Sequence, residues 1–337
     1  MMGPPPRAVR RLLLTPVVWA GSLVLIVLSP VVFVVTLVLD VIDQRSWRFT
    51  RLLGLGVAFC ALEFAALTAA FVVWVRTRLG GDSETVVAFH QSLLAWWLRS
   101  ITAALRRCLD FSLEVRFPDT GTRPLVVLSR HAGPGDALFL MDELANGQGR
   151  QIRAVGKEKL LWDPFFDVVA SRAGFVFLGV GDPSTLETVR SRSAMPPRGA
   201  FISFPEGGNF TVGRHGRALA GLRSAGQDLL ADTAAGLRHL LLPRPGGVHA
   251  ALAGSPEATV VFIGHAGYDD LDSLVDLWRA IPEGRRIRLE ARAVARPDGW
   301  EDREVVREWL LRCWTDMDRW IRKHAANDRT DRAGDAR

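Results

Sequence analysis

The sequence predicts an α/β fold, with a mixed, largely parallel sheet covered by helices behind an N-terminal membrane segment of two helices. Two observations lead to this prediction. Between residues 119 and 300, short apolar runs alternate with helical stretches, as in domains built from alternating strands and helices. Before them, residues 12–39 carry no charged side chain and residues 52–75 carry only Glu63, which is typical of membrane-crossing helices.

Short apolar runs and amphipathic stretches define the elements of the α/β part. The predicted strands are residues 125–128, 152–155, 175–178, 200–204, 260–263 and 287–291. The predicted helices are residues 136–145, 164–173, 183–192 and 218–234. Because ligands of open α/β sheets bind beyond the carboxyl ends of the strands, functional residues are expected in the turns that follow these runs.

The two apolar runs predict an uncleaved membrane anchor. The first run is about twice as long as the apolar core of a signal peptide, which has roughly 7 to 15 residues. As a helix it would extend roughly 42 Å, at about 1.5 Å per residue, against a bilayer core of about 30 Å. Strong tilt, a bend at Pro30 and a re-entrant hairpin are therefore all open.

Arginines at the two ends of this apolar pair predict its orientation. They are Arg7, Arg10, Arg11, Arg76 and Arg78. By the positive-inside rule both ends, and the domain that follows, lie on the cytoplasmic side of an integral membrane protein. The connecting loop weakens this prediction because it also carries arginines, at Arg45, Arg48 and Arg51.

The formal net charge is +6, and the excess is almost all arginine. In a chain with membrane segments, such a charge favours an anionic lipid bilayer or a phosphorylated substrate as partner, rather than nucleic acid.

The three cysteines, Cys60, Cys108 and Cys313, have no paired spacing, so neither a disulfide framework nor a zinc site is implied.

Amphipathic helices flank the α/β part on both sides. The chain divides into an anchor (1–80), an amphipathic interfacial helix (81–118), the α/β domain (119–300), and a C-terminal helix with a polar tail (301–337). In the second segment, Leu94, Trp97 and Ile101 fall on one helical stripe. Its tryptophans and arginines suit a bilayer interface, and packing on the α/β core is the alternative.

Two turns carry the side chains that could perform chemistry. His131 and Asp136 lie on a Gly/Pro turn directly after the run at 125–128. An imidazole with a carboxylate to orient it can take a proton from an alcohol. Glu206 follows the run at 200–204 and places a second carboxylate on a rigid turn. Taken singly, Asp136 could be an ordinary helix N-cap and Glu206 part of an ordinary surface turn.

Taken together, the two turns resemble the glycerolipid acyltransferases, the family that includes the lysophosphatidic acid acyltransferases. That family carries His-x4-Asp followed by Phe-Pro-Glu-Gly, and here the two elements lie about 70 residues apart. Gly156-Lys-Glu-Lys-Leu160 and the apolar block at 175–178 are similar to two further family elements. Leu240-Leu-Leu-Pro-Arg244 is similar to an element of the branch that includes lysophosphatidylinositol and lysocardiolipin acyltransferases. The resemblance covers most of residues 120–265.

This resemblance implies a membrane-bound O-acyltransferase. It would move a fatty acyl group from acyl-CoA or acyl carrier protein to a hydroxyl of lysophosphatidic acid or a related lysophospholipid. The resemblance implies His131 as general base and Asp136 as the carboxylate that orients it, with no acyl-enzyme intermediate; a histidine pKa near 6.5 suits this role. Glu206 and Gly207 would help to arrange the acceptor. The thioester is a co-substrate, and no cofactor is implied.

The chain departs from the family where the phosphate of the acceptor would bind. Where the family usually has Phe-Pro-Glu-Gly-Thr-Arg, this chain has Gly208 and Asn209, and the arginine expected after the block at 175–178 is also absent. Asparagine does not replace a bidentate arginine. Either another cation supplies the charge or the acceptor differs from lysophosphatidic acid. The candidate substrate-binding residues are Asn209, Lys157, Lys159, Arg214, Arg217 and Arg244. Arg214 and Arg217 could equally be solvated loop arginines.

Two other functions stay open. One is a lipid ester or thioester hydrolase in which His131 and Asp136 activate water. The other is a catalytically silent lipid-binding scaffold, which the two missing arginines make conceivable. A metal site is not predicted, because the spacing of His215, His249 and His265 does not match that of metal ligands.

Overall fold

A computed structural model of the chain describes residues 3–44, 47–79, 83–133, 135–267 and 284–335. Arg45 of the predicted connecting loop and Pro134 of the turn between His131 and Asp136 lie outside these residues. The described residues form two compact units. The first comprises residues 3–111 and 141–188 with Gly284, and the second comprises residues 112–140, 189–267 and 285–335.

The first unit begins with the helices α1 (Arg7–Asp43), α2 (Arg48–Arg78) and α3 (Ser83–Leu109). Helices α1 and α2 are long and apolar enough to cross a membrane. In the most apolar stretch of each helix, only 6% of α1 and 28% of α2 is buried inside the protein. Helix α1 includes a π-helical turn, Arg10–Leu14, and continues through Pro30 without a break. The first apolar run therefore forms one helix rather than a re-entrant hairpin.

Helices α1 and α2 pack side by side. Trp19 Nε1 in α1 donates a hydrogen bond of 2.9 Å to Thr68 Oγ1 in α2. Near the connection, the carboxylate of Asp40 accepts the backbone N–H groups of Phe49, at 2.9 Å, and Thr50, at 2.8 Å. These are donors at the start of a helix, which have no partner within the helix itself. The end of α1 therefore caps the beginning of α2.

Helix α3 packs within the first unit through its predicted apolar stripe. Trp97 on this stripe is buried and stacks on Phe165, with ring centroids 4.1 Å apart, whereas the adjacent Trp96 is 43% exposed. The stripe therefore has a protein partner, and an interfacial location for this helix stays a prediction.

The rest of the first unit carries two short parallel strands and three short helical turns, of which the π-helical turn Glu143–Gly147 precedes the strands. Strand β3 (Gln151–Lys157) pairs with β4 (Val176–Leu178). The 3-10 turn Glu158–Trp162 and the π-helical turn Phe166–Ala170 lie between them.

The second unit contains a sheet of five strands around a fully buried centre. These are β1 (Phe111–Arg116), β2 (Leu125–Ser129), β5 (Gly199–Ser203), β6 (Thr259–Ala266) and β7 (Arg285–Val294). Their order is β1-β7-β6-β2-β5. Strand β2 runs parallel to both β5 and β6, and β7 is antiparallel to β6. Every residue of β2 is buried, which explains its continuous apolar sequence.

Helices connect and cover these strands. They are α4 (Asp136–Asp142), α5 (Thr185–Ser193), α6 (Val212–Ser224), α7 (Asp228–Gly236), α8 (Pro245–Gly254) and α9 (Arg303–Asp335). Helix α8 packs on β2, and α9 packs on β6 and α8. The predicted α/β fold with a mixed, largely parallel sheet is thus confirmed.

Several elements differ from their predicted bounds for local reasons. The amphipathic helix expected within 81–118 ends at Leu109, because Asp110 is left-handed with φ of 56° and the chain then enters β1. The helix expected over 218–234 is two helices, separated at Gly226 with φ of 68°. Helix α8 was not predicted, since its Pro-Gly-Gly start is typical of a turn. The predicted polar tail continues α9 to Asp335.

Candidate active site

The turns that carry the candidate catalytic residues lie together at the carboxyl ends of the strands in the second unit. His131 follows β2, Glu206 follows β5, and His265 is the second-last residue of β6. Because β2 lies between β5 and β6 and is parallel to both, the carboxyl ends of all three strands are adjacent. This is the edge at which open α/β sheets bind ligands.

His131 and Asp136 are in direct contact. Nδ1 of His131 lies 3.0 Å from each carboxylate oxygen of Asp136. A carboxylate only accepts hydrogen bonds, so this contact assigns the proton of neutral His131 to Nδ1 and leaves Nε2 as the basic nitrogen. The histidine side chain is 31% exposed, while the aspartate side chain is 1% exposed. The imidazole is therefore accessible and its partner is not.

Asp136 also organises the turn that carries His131. Its Oδ2 accepts the backbone N–H of Ala132 at 2.6 Å, and its Oδ1 accepts that of Ala137 at 2.6 Å. Asp136 is the first residue of α4, so a carboxylate stands at the start of that helix. Asp136 therefore stabilises the start of a helix and also binds His131.

A second histidine reaches the same carboxylate from β6. Nε2 of His265 lies 3.4 Å from Oδ2 of Asp136, and both side chains are nearly fully buried. Burial pushes the pKa of Asp136 upwards, but the hydrogen bonds and positive charges of His131 and His265 outweigh it. The pKa of Asp136 is therefore well below its ordinary value, and the group is ionised throughout the physiological range.

Glu206 binds two backbone segments rather than facing solvent. Its Oε1 accepts the backbone N–H of His131 at 3.3 Å, and its Oε2 accepts that of Leu241 at 3.1 Å. The residue is 4% exposed. Burial raises the pKa of Glu206 to about 8, against the opposing charge of Arg130 and the two N–H donors. The carboxyl group thus ties the His131 turn to the predicted element at 240–244.

The loop from Phe204 to Phe210 holds the main chain of His131 on both sides. Glu206 binds the N–H of His131, and the N–H of Phe210 donates a 2.8 Å hydrogen bond to the His131 carbonyl. The ring of Phe204 lies against the imidazole with centroids 5.1 Å apart. The position of the imidazole is therefore determined by this loop as well as by Asp136.

Arg130 and His265 belong to this site although the sequence reasoning did not select them. The guanidinium of Arg130 is buried and donates to the carbonyl of His265 at 2.7 Å and to that of His239 at 3.2 Å. It also lowers the pKa of Glu206. An arginine at the end of a fully apolar strand was the available signal for Arg130, since a buried charge requires partners.

The element at 240–244 lies beside the Glu206 turn. The backbone N–H of Arg244 donates to the carbonyl of Pro205 at 2.9 Å. Gly207 has a φ of 70°, and the guanidinium carbon of Arg244 would lie 3.3 Å from a Cβ at this position. Glycine is therefore required there by both backbone conformation and space. The structure brings Gly207 and Arg244 together, next to Glu206.

The remaining candidate cations have different surroundings. Arg214 Nη1 donates to the carbonyl oxygen of Asn209 at 2.6 Å and to its Oδ1 at 2.8 Å. Arg217 is exposed on α6. Lys157 ends β3 and Lys159 lies in the adjacent 3-10 turn, both in the first unit. Arg214 is thus held by a residue of the Glu206 loop.

The other histidines considered for a metal site bind backbone carbonyl oxygens. Nε2 of His215 lies 2.9 Å from the carbonyl of Ala234, and Nε2 of His249 lies 2.9 Å from that of Glu301. Within the described part of the chain, His, Cys, Asp and Glu side chains do not form a group of three or more arranged for a metal ion.

Comparisons with known proteins find similarity to acyltransferases in the region that carries this site. A search of curated protein sequences finds no match to the chain. Among solved structures, the chain is similar to the crystal structure of the 1-acyl-sn-glycerophosphate (LPA) acyltransferase PlsC from Thermotoga maritima. The TM-score is 0.47 with 15% sequence identity, over 80% of this chain and 92% of that chain. Residues 111–242 match the sequence model of the Acyltransferase family. The matched segment contains His131, Asp136 and Glu206.

Proposed function

We propose that the protein is a membrane-bound O-acyltransferase with a thioester donor and a lysophospholipid acceptor. The observation that carries this proposal is the pairing of an accessible imidazole with a buried, ionised carboxylate, 3.0 Å apart, inside the segment that matches the Acyltransferase family. Acyl-CoA or acyl carrier protein would supply the fatty acyl group. The acceptor would be lysophosphatidic acid or a related lysophospholipid.

The proposed reaction is a direct transfer. Nε2 of His131 takes the proton of the acceptor hydroxyl while the hydroxyl oxygen attacks the thioester carbonyl. The tetrahedral intermediate then collapses: the new C–O ester bond is kept, the C–S bond breaks, and the thiolate receives the proton from the imidazolium. Asp136 stabilises the imidazolium without taking its proton. Its low pKa supports this role, because it stays ionised while His131 cycles.

We propose positioning roles for the groups around this pair. Glu206 contacts the backbone of His131 and Leu241 through its two oxygens, which supports a role in placing the base rather than in binding the acceptor. His265 contacts Asp136, which supports a role in holding the carboxylate in place.

Arg214 is the proposed ligand for the acceptor's phosphate. Asn209 stands where the family usually has an arginine, and it binds the Arg214 guanidinium through two oxygens. A guanidinium has five N–H donors, so this contact orients it and leaves donors for a phosphate. Lys157, Lys159, Arg217 and Arg244 are the other candidates. The element ending at Arg244 supports an acceptor with a larger headgroup, as in the lysophosphatidylinositol and lysocardiolipin branch.

The helices α1 and α2 are the proposed membrane anchor. Their exposed apolar surface supports integral attachment, and the arginines at the ends of the pair support a catalytic domain on the cytoplasmic side.

The test is an acceptor panel with the full-length protein. Purified in detergent with a long-chain acyl-CoA, the protein should form diacyl product from one or more lysolipids, and His131→Ala should abolish this. His249→Ala, which removes an imidazole that contacts the carbonyl of Glu301, is the matched control and should retain turnover. Thioester consumption without an acceptor would instead indicate a hydrolase. Lipid binding without any turnover would indicate a silent scaffold.

A further inference from the structure

Several arginines surround a single buried carboxylate at the start of α1. Asp167, in the π-helical turn Phe166–Ala170, is 2% exposed. Its Oδ1 accepts a 2.9 Å hydrogen bond from Arg10 Nη2. Arg11 binds it twice, from Nε to Oδ2 at 3.4 Å and from Nη2 to the Asp167 carbonyl at 2.8 Å. Two ion pairs therefore hold the first turns of α1 against the π-helical turn that carries Asp167.

Two further arginines add positive charge to this point. Arg7 lies close enough for its charge to act on Arg11 and on Arg172. Burial lowers the pKa of Arg172, and the charges of Arg11 and Arg7 lower it further, while Asp167 acts in the opposite direction. We call Arg7, Arg10, Arg11 and Arg172 the arginine cluster. Arg10, Arg11 and Arg172 thus share the carboxylate of Asp167, and Arg7 adds a fourth positive charge beside them, which leaves an excess of positive charge.

The cluster also has unused hydrogen-bonding capacity. Arg10 is about nine-tenths buried, and its Nε has no hydrogen-bond partner within the part of the chain that the structure describes. A buried donor of a charged group is costly when it is left unpaired. An oxyanion beside the cluster would balance the positive charge and accept a hydrogen bond from Arg10 Nε. Planar guanidinium groups are well suited to phosphate oxygens.

Apolar surface begins directly after the cluster on α1. Leu12 is 73% exposed, Leu13 63% and Val17 67%. A soluble anion would match only the charged part of this surface. An anionic phospholipid would match all of it, because its phosphate meets the guanidinium groups while its acyl chains cover the leucines and valine.

We propose that the arginine cluster is a binding site for the phosphate of an anionic membrane phospholipid, separate from the acyl acceptor. The site goes beyond the proposed reaction: a lipid that is not acylated would seat α1 at the headgroup level of the bilayer. Each arginine near an anionic surface contributes about 1 kcal/mol, which is about fivefold in affinity.

The experiment measures the affinity of the full-length protein in a non-ionic detergent, by displacement of a fluorescent phosphatidylglycerol. The competitors are dioctanoyl phosphatidylglycerol, dioctanoyl phosphatidylcholine and inorganic phosphate. The double variant Arg7→Gln/Arg172→Gln removes two charges and keeps both ion pairs of Asp167. Arg192→Gln/Arg223→Gln removes two exposed arginines of the second unit and is the matched control.

We expect phosphatidylglycerol to compete far better than phosphatidylcholine, and the Arg7/Arg172 variant to bind it about 25-fold more weakly than the control variant does. Acyl transfer in detergent should be unchanged in both variants. Equal affinity of the two variants for phosphatidylglycerol would overturn the proposal. Competition by inorganic phosphate as strong as by the lipid would overturn the assignment to a lipid. If the Arg7/Arg172 variant lost acyl transfer as well as lipid binding, the cluster would belong to the acceptor site, and the proposal of a separate lipid site would be overturned.

Discussion

Replacing Asp136 with asparagine tests the proposed catalytic pair most directly. Each carboxylate oxygen of Asp136 accepts a 2.6 Å hydrogen bond from a backbone N–H, Oδ1 from Ala137 and Oδ2 from Ala132. An asparagine amide has one oxygen and one NH2 group, so in either orientation its NH2 faces one of these donors. The unpaired buried donors should lower the free energy of unfolding by about 1 to 3 kcal/mol.

The effect on turnover should be much larger than the effect on stability. If the amide NH2 contacts Nδ1 of His131, the imidazole proton moves to Nε2, and the nitrogen that should take the acceptor's proton is blocked. The imidazolium also loses its counter-charge. In triads the same replacement lowers kcat about 10⁴-fold, which corresponds to about 5.5 kcal/mol. We expect a loss of this order, with little change in KM for either substrate.

The assay is steady-state acyl transfer in detergent, with thermal unfolding measured on the same samples. Asp228→Asn, at the exposed start of α7, is the matched control and should change neither quantity by much. A loss of kcat smaller than about tenfold in a folded Asp136→Asn protein would refute the reasoning, because the carboxylate would then not be needed to hold the tautomer.

Three further predictions concern the residues around this pair. His265→Leu should lower kcat about tenfold at constant KM because the 3.4 Å contact with the Asp136 carboxylate is lost, and His265→Gln, which keeps an N–H donor, should restore most of it; equal losses in both would argue against a positioning role. Because the folded-state pKa of Glu206 is raised to about 8, the folded protein binds more protons than the unfolded chain above the ordinary value of 4.5. Stability should therefore fall by about 1 kcal/mol per pH unit as the pH rises from about 5 to 8, and Glu206→Gln should flatten this slope in thermal unfolding. Gly207→Ala should destabilise the protein by about 1 to 3 kcal/mol, whereas Gly216→Ala, at a helical position with open space, should not; similar unfolding temperatures for the two would contradict the required φ at Gly207.

The strand ends were predictable because their signals are local. Continuous apolar runs identified β2, β5 and β6, and residues directly after such runs in an α/β sheet converge at one edge. That argument was sufficient to place His131 and Glu206 in turns at the ends of strands. It carried no information about strand order, so the contact of His265 with Asp136, across 129 positions of sequence, could not be anticipated.

Some elements were missed because a neighbouring sequence pattern was stronger than their own. The alternation in Phe111–Arg116 is too short to outweigh a preceding helical pattern, and only the left-handed conformation of Asp110 ends that helix. The role of Glu206 illustrates the same limit, since a carboxylate on a turn suggests a group that faces a ligand. Its partners are main-chain N–H groups 75 and 35 positions away, and such pairings depend on tertiary packing alone.

The loop from Phe204 to Phe210 carries Asn209 and also grips the main chain of His131 at its N–H and its carbonyl. The residues to which we assign lipid selectivity and proton transfer thus share one segment of backbone. Insertions or deletions that would retune the choice of lipid should displace the imidazole as well, so divergence of specificity through this loop is restricted to exchanges of side chains. Changes in loop length would have to arise in other loops, where they leave the position of His131 unchanged.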